Sequence, residues 1–125
     1  MPKKILIIDD EPDICDSISE LLRDHNYEVL TSNRGTEGQE LILKEKPDLV
    51  ILDISLPDLD GTVIYENLRK NPETKKLKVI FLTALATGAP EQYAGIDRAD
   101  YTIISKPVRF EALLKEIERV LEFVV

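Results

Sequence analysis

Cysteine, tryptophan and long apolar runs are scarce in this chain, which has one cysteine and no tryptophan. A single cysteine excludes an internal disulfide and is typical of the reducing cytoplasm. No apolar run approaches the ~18 residues that a membrane span needs. The basic start, residues 1–4, is too short for a signal peptide. These features predict a cytoplasmic protein that makes no contact with a membrane.

Positive charge is also in short supply, because 16 lysines and arginines face 24 aspartates and glutamates, for a net charge of −8. Proteins that bind nucleic acid contact its phosphates through a basic surface. We therefore expect no direct binding of nucleic acid by this chain.

The length and composition indicate one globular domain. Of the 125 residues, 43% are hydrophobic and 32% are charged, which excludes a disordered chain. No internal repeat, linker or low-complexity stretch divides the sequence. We expect a single domain over residues 1–125.

Short apolar runs without alternation recur along the chain, at residues 5–8, 49–52, 79–82 and 103–104. Such runs are typical of strands buried on both faces in a parallel sheet covered by helices. A further short strand is expected at residues 27–31. Helical patterns alternate with these runs, so with right-handed crossovers they predict a doubly wound α/β fold of five strands and five helices.

The helical segments differ in clarity. Asp13 is the expected N-cap of the first helix, and a second helix is expected over residues 36–46. The last helix is the clearest, with apolar residues on one face between residues 110 and 124. A helix between Thr83 and the last strand is interrupted at residues 88–90, so that only residues 91–94 or so are expected to be helical.

Polar residues follow four of the predicted strands. Asp9 and Asp10 follow the first apolar run, Asp53 and Thr83 follow the next two, and Lys106 closes the last strand. Ligands of open α/β sheets bind beyond the carboxyl ends of the strands. We therefore expect these five side chains to lie together at one edge of the sheet.

The three aspartates of this set predict a metal site. Carboxylates gathered within a few ångströms repel one another unless protons or a cation neutralise them. Oxygen ligands favour a hard divalent ion, and Mg²⁺ is the usual choice where few protein groups bind it. The alternative is that the loop acids only cap the following helix, which Asp10 or Asp13 could do.

Asp53 is either a metal ligand only or a nucleophile as well. A carboxylate can attack a phosphoryl group to form an acyl phosphate if a cation and fixed donors meet the charge. Lys106 would supply an ammonium for this reaction, and Thr83 would supply a hydroxyl.

The motifs around these residues resemble those of the response regulator receiver domain, the phosphoacceptor module of two-component signalling. The matching segments are residues 7–12, 47–53, 56–57, 60–61, 82–84 and 106–107. The resemblance covers residues 3–123. It implies a flavodoxin-like fold with strand order 2-1-3-4-5.

The resemblance also implies a role for each residue of the site. Asp53 would accept a phosphoryl group from a histidine kinase. Asp10 would bind Mg²⁺ directly and Asp9 largely through water, with the backbone carbonyl of Ser55 as a further ligand. Lys106 would pair with the phosphoryl oxygens and Thr83 would hydrogen-bond them. Family members often have a cis bond at the position of Pro107, after this lysine.

The implied function is a phosphorelay switch. The domain would catalyse its own phosphorylation and dephosphorylation, with no separate substrate and so without being an enzyme in the usual sense. Its partners would be a sensor histidine kinase or phosphotransfer protein and a downstream protein target, and the domain would be a monomer or weak dimer.

Three other classes of protein fit the sequence less well. A phosphorylation-independent docking module, or pseudo-receiver, usually lacks an acidic, Thr or Lys position of the site, and none is lost here. Phosphatases of the haloacid dehalogenase kind need a second aspartate where Ser55 stands. Flavin carriers need a phosphate-binding loop of Ser, Thr or Gly after the first strand, which this chain lacks.

The chain departs from the family pattern near the last strand. Ile103 stands where the family usually has an aromatic residue, three places before the lysine. Tyr101 lies five places before it and is expected at the surface or at a strand edge. Arg98 and Ala99 replace a usual glycine-alanine pair. Leu85 cannot position a water, which predicts a long-lived phosphoryl group.

Overall fold

The computed structural model describes residues 2–84 and 101–122, without the side chain of Glu122. Its strands are β1 (Lys4–Ile8), β2 (Glu28–Ser32), β3 (Leu49–Asp53), β4 (Lys78–Thr83) and β5 (Tyr101–Ser105). Its helices are α1 (Pro12–Asp24), α2 (Gly35–Glu45), α3 (Gly61–Lys70) and α4 (Phe110–Glu122). The further helix expected near residues 91–94 lies outside the described residues, as do Leu85 and the Arg98-Ala99 pair.

The five strands form one parallel sheet in the order β2-β1-β3-β4-β5, which confirms the predicted doubly wound fold. The register aligns the carboxyl ends of the strands. Ile8 is opposite Leu52, Asp53 is opposite Leu82, and Thr83 is opposite Ser105. The residues that follow β1, β3, β4 and β5 therefore meet at one edge.

Apolar residues of the sheet are buried on both of its faces. One face packs against α1 and α4, through strand residues Ile5, Ile7, Leu49, Ile51, Ile80 and Leu82. The other packs against α2 and α3, through Leu6, Ile8, Val50, Leu52, Val79 and Phe81. The runs lack alternation because neither face is left to water. Among the described residues, no helix is long and apolar enough to cross a membrane.

Helix α1 begins earlier than the sequence suggested, and the assignment of Asp13 as its N-cap is wrong. Pro12 is the first helical residue and Glu11 holds the extended N-cap position, without a capping bond from its side chain. Proline suits this place because the first helical N–H has no partner within the helix. Strand β2 and helix α2 each lie within one residue of the predicted bounds.

Tyr101 was expected at a strand edge or at the surface. It opens β5, a strand at the border of the sheet, but its side chain is buried, so the expectation of a surface position is wrong. Tyr101 is only 7% exposed and lies edge-on to two rings, with centroids 5.4 Å from Phe81 and 5.6 Å from Tyr65. Tyr65 comes from α3, which covers this face of the sheet. Ile103, two residues further along β5, is partly buried against the same core.

Candidate functional site

The polar residues predicted at the strand ends do meet. Asp9 and Asp53 are buried at 0% and 3% exposure, and Asp10 is exposed. One carboxylate oxygen from each lies within 4.8 Å of the others. Thr83, also buried, ends β4 beside this group, and its carbonyl accepts a 2.6 Å hydrogen bond from the Lys106 N–H.

Lys106 places its ammonium among carboxylates. Its Nζ lies 3.0 Å from Asp9 Oδ2, 3.0 Å from Glu11 Oε1 and 3.4 Å from Asp53 Oδ2. Burial acts to lower the pKa of this ammonium, but the hydrogen bonds that it donates to Glu11 and Asp9 and the charge of Asp53 outweigh burial and raise the pKa. The amine therefore stays charged at neutral pH. The Lys106-Pro107 peptide bond is cis.

Asp9 is held by its backbone on both sides. Its N–H donates to the carbonyl of Ser32, and its own carbonyl accepts from Cys15 Sγ at 3.3 Å and Asn33 Nδ2 at 3.0 Å. Its Oδ1 accepts from the N–H of Glu11. Burial, followed by the charge of Asp9, raises the pKa of the Cys15 thiol to about 11. Cys15 is thus a small packing residue.

The surroundings of Asp53 disfavour the ionised form of its carboxylate. Its Oδ1 accepts from the N–H of Ser55 at 3.1 Å, and its Oδ2 faces Lys106. Burial and then the charge of Asp9 raise its pKa to about 6, although Lys106 and the Ser55 N–H act in the opposite direction. The ionised form is costly here, so further positive charge at this edge would stabilise it.

The donor set fits Mg²⁺. Apart from the Lys106 ammonium at 3.0 Å, buried Asp9 Oδ2 has no hydrogen-bond partner among the described residues. Asp10 and Asp53 offer oxygens next to it. A buried carboxylate oxygen whose one partner among the described residues is an ammonium, beside two further carboxylates, matches the oxygen ligands that a hard divalent ion prefers.

Replacing Asp53 with asparagine is expected to stabilise the fold. Because the folded pKa of about 6 exceeds the ~3.9 of a free aspartate, ionised Asp53 weakens the folded state. The gain should be absent below pH ~4 and reach about 1–2 kcal/mol in the free energy of unfolding above pH ~6, after allowance for water at this open edge. Urea unfolding between pH 4 and 8 without Mg²⁺ measures it.

The control for this measurement is Asp48→Asn at the opposite edge of the sheet, where Asp48 Oδ2 accepts from the N–H of Lys4. No gain is expected there. Equal stability of the wild type and Asp53→Asn at pH 7 would contradict the interpretation of Asp53.

The sequence analysis missed one residue of the site, Glu11, and one residue of the neighbouring loop, Asp58. Glu11 shares the ammonium of Lys106, and the signal was a third acid directly after Asp9-Asp10. Asp58 accepts hydrogen bonds from residues more than 20 positions away, for which the sequence carries no signal.

With this geometry established, the chain matches the family model of the response regulator receiver domain over residues 5–118. The chain belongs to the response regulator receiver domain family. Receiver domains are signalling modules that take phosphate from histidine kinases, act on downstream effectors and bind Mg²⁺ at an acidic pocket. The resemblance in the motifs is confirmed.

Relatives of this receiver domain differ in length. It is 36% identical over 121 residues to the DNA-binding dual master transcriptional regulator RpaA of Synechocystis, a match that covers 97% of this chain and 49% of that protein. It is 36% identical over 119 residues to Protein PilH of Pseudomonas aeruginosa, over 94% of this chain and 97% of that protein. The receiver domain therefore spans about half of the first relative and nearly all of the second.

Solved structures show the same fold. The chemotaxis protein CheY4 of Vibrio cholerae superposes with a TM-score of 0.85 at 30% identity, covering 97% of this chain and 100% of that one. The BeF3-activated receiver domain of RstA from Klebsiella pneumoniae superposes with a TM-score of 0.83 at 29% identity, over 95% and 98%.

Proposed function

We propose that this receiver domain is a phosphorylation switch in which Asp53 accepts a phosphoryl group from a sensor histidine kinase or phosphotransfer protein in the cytoplasm. The observation that carries the proposal is the group of three carboxylates within 4.8 Å of one another, with the Lys106 ammonium 3.4 Å from Asp53. This arrangement supports the proposed roles of Asp53 as nucleophile, of the carboxylates as cation ligands and of Lys106 as a fixed positive charge.

In the proposed reaction a carboxylate oxygen of Asp53 attacks the phosphorus of a phosphohistidine. The new O–P bond forms as the N–P bond breaks, and the leaving imidazole takes up a proton. Mg²⁺, held by Asp9, Asp10, Asp53 and the carbonyl of Ser55, would supply positive charge for the phosphoryl oxygens. Hydrolysis later restores the Asp53 carboxylate and releases inorganic phosphate.

Lys106 and Thr83 would stabilise the negative charge that the phosphoryl group adds. The Lys106 ammonium, now shared among Asp9, Glu11 and Asp53, would turn to the phosphoryl oxygens. The hydroxyl of Thr83 would donate to them from the end of β4. Such new contacts shift the balance between two conformations, and a downstream protein target would recognise the phosphorylated one. With a net charge of −8, the domain is proposed to act on a protein and not on nucleic acid.

The test is phosphorylation by acetyl phosphate, with and without Mg²⁺, read by intact mass. We expect a gain of one phosphoryl group that requires Mg²⁺ and is absent in Asp53→Asn. A folded wild-type protein that gains no phosphoryl group would refute the switch and favour the docking module. The decay of the label tests the lifetime, and loss within seconds at neutral pH would contradict a long-lived phosphoryl group.

A further inference from the structure

The loop that follows β3, residues 54–60, is tied to the start of α2 by one side chain. Asp58 Oδ1 accepts a 2.8 Å hydrogen bond from the N–H of Gly35, and its Oδ2 accepts from the N–H and hydroxyl of Thr36 at 3.1 and 2.8 Å. Both oxygens are thus engaged by donors 22 and 23 positions earlier in the chain. We call these three bonds the Asp58 clamp.

The clamp provides hydrogen-bond acceptors for the first N–H groups of α2, which the helix itself lacks. Its N-cap residue, Arg34, makes no capping bond through its side chain, so the first N–H groups of the helix would otherwise lack a protein acceptor. A carboxylate is the preferred partner at a helix N-terminus, where the backbone dipoles favour negative charge. The bonds from Thr36 and Gly35 lower the pKa of Asp58 to about 2. The clamp therefore holds at neutral pH, and its contribution to stability is lost only as the pH falls from ~4 toward 2.

Close packing of Gly35, at the start of α2, against Leu59 of the loop reinforces the clamp. A Cβ at Gly35 would lie 2.9 Å from the Cβ of Leu59 and 3.2 Å from its carbonyl oxygen. Helix α2 and the loop therefore touch without room for a side chain between them. The far end of the loop is bonded to its own start, directly after β3, because the N–H of Gly61 donates to the carbonyl of Ile54 at 2.9 Å.

The same loop carries Ser55, whose N–H donates to Asp53 Oδ1 at 3.1 Å. We propose that Asp58 is a positioning residue for the phosphorylation site, acting by holding the loop of Ser55 in the conformation that receives Mg²⁺. The inference rests on the proposed function, in which the Ser55 carbonyl is a metal ligand. Asp58 touches neither Asp53 nor the metal site and acts through the loop.

A loosened loop adopts its binding conformation only part of the time, and the apparent affinity falls by that fraction. Asp58→Ala is therefore expected to raise the Mg²⁺ concentration for half-maximal labelling by acetyl phosphate about tenfold. The labelling rate at saturating Mg²⁺ should stay near that of the wild type, because the metal restores the loop. Thr36→Ala, which removes one bond of the three, should give a smaller shift in the same direction.

A second readout needs no phosphorylation. Mg²⁺ raises the Tm of a protein that binds it when folded, and the concentration dependence of that rise measures its affinity. The Mg²⁺ midpoint of this rise should move with Asp58→Ala as the labelling midpoint does. If wild-type protein binds Mg²⁺ but is not labelled, the proposed function fails while these midpoints still decide the role of Asp58.

The matched control is Asp48→Ala. Asp48 is also exposed and also accepts a long-range hydrogen bond from a backbone N–H, that of Lys4 at 2.8 Å, at the opposite edge of the sheet. It should lower the Tm without changing either Mg²⁺ midpoint. Wild-type midpoints in both Asp58→Ala and Thr36→Ala would overturn the proposal, as would an equal shift in Asp48→Ala.

Discussion

Lys106→Ala is expected to lower the rate of labelling by acetyl phosphate about 100-fold or more at a fixed Mg²⁺ concentration. The ammonium is the positive charge nearest Asp53 among the described residues, at 3.4 Å, and it meets Asp9 at 3.0 Å. Without it, two buried carboxylates face each other and the incoming phosphoryl group loses its fixed cation. The pKa of Asp53 should rise further, since Lys106 now lowers it.

Lys4→Ala is the control for this variant. Lys4 also pairs with two carboxylates, those of Glu28 and Glu45 at 3.4 and 3.5 Å, but at the amino ends of the strands. It should leave the labelling rate unchanged. Initial rates by intact mass decide the question, and a Lys106→Ala protein labelled as fast as Lys4→Ala would remove Lys106 from the proposed mechanism.

Gly61→Ala is expected to destabilise the fold by about 3 kcal/mol and to slow labelling as well. A Cβ at this position would lie 2.5 Å from the carbonyl oxygen of Asp53 and 2.9 Å from the Cα of Ile54. These are backbone atoms of the strand end that carries the acceptor, so they cannot move aside without displacing Asp53. Urea unfolding measures the first effect and acetyl phosphate labelling of the folded fraction measures the second.

Gly38→Ala is the control for Gly61→Ala, because it also introduces a steric clash but not with the backbone of Asp53. Its Cβ would meet Ile8, at 2.4 Å from Cδ1 and 2.8 Å from Cγ1, which are side-chain atoms. Some stability should be lost, offset in part by the better helix propensity of alanine. Its labelling should match the wild type. If Gly61→Ala labels as well as Gly38→Ala, the close approach of α3 to Asp53 has no role in phosphorylation.

Much of the fold and the site could be predicted because both depend on strand ends. Runs such as 49–52 are typical of strands buried on both faces, and a parallel sheet brings the residues after such strands to one edge. Asp9, Asp53 and Lys106 needed no further information to be placed together. Their assigned roles stay predictions until labelling is measured.

Other features depend on pairings that no local pattern carries. Tyr101 is buried because α3 places Tyr65 over the start of β5, and the sequence near Tyr101 does not contain that helix. Asp58 looks like an ordinary turn residue after Pro57, but its partners belong to α2. Asp13 resembled an N-cap because aspartate favours that position, whereas Pro12 already opens the helix.

Asp53 and Lys106 are carried by strands that differ in burial and in pairing. Asp53 ends β3, whose five residues are all buried and which pairs with a strand on each side. Lys106 follows β5, which lies at the border of the sheet and has three of its five residues only partly buried. Local opening has a lower free-energy cost where burial and pairing are less complete. We therefore expect the amides of β3 to exchange more slowly than those of β5, so that adjustment to the charge of Asp53 falls to the segment of Lys106.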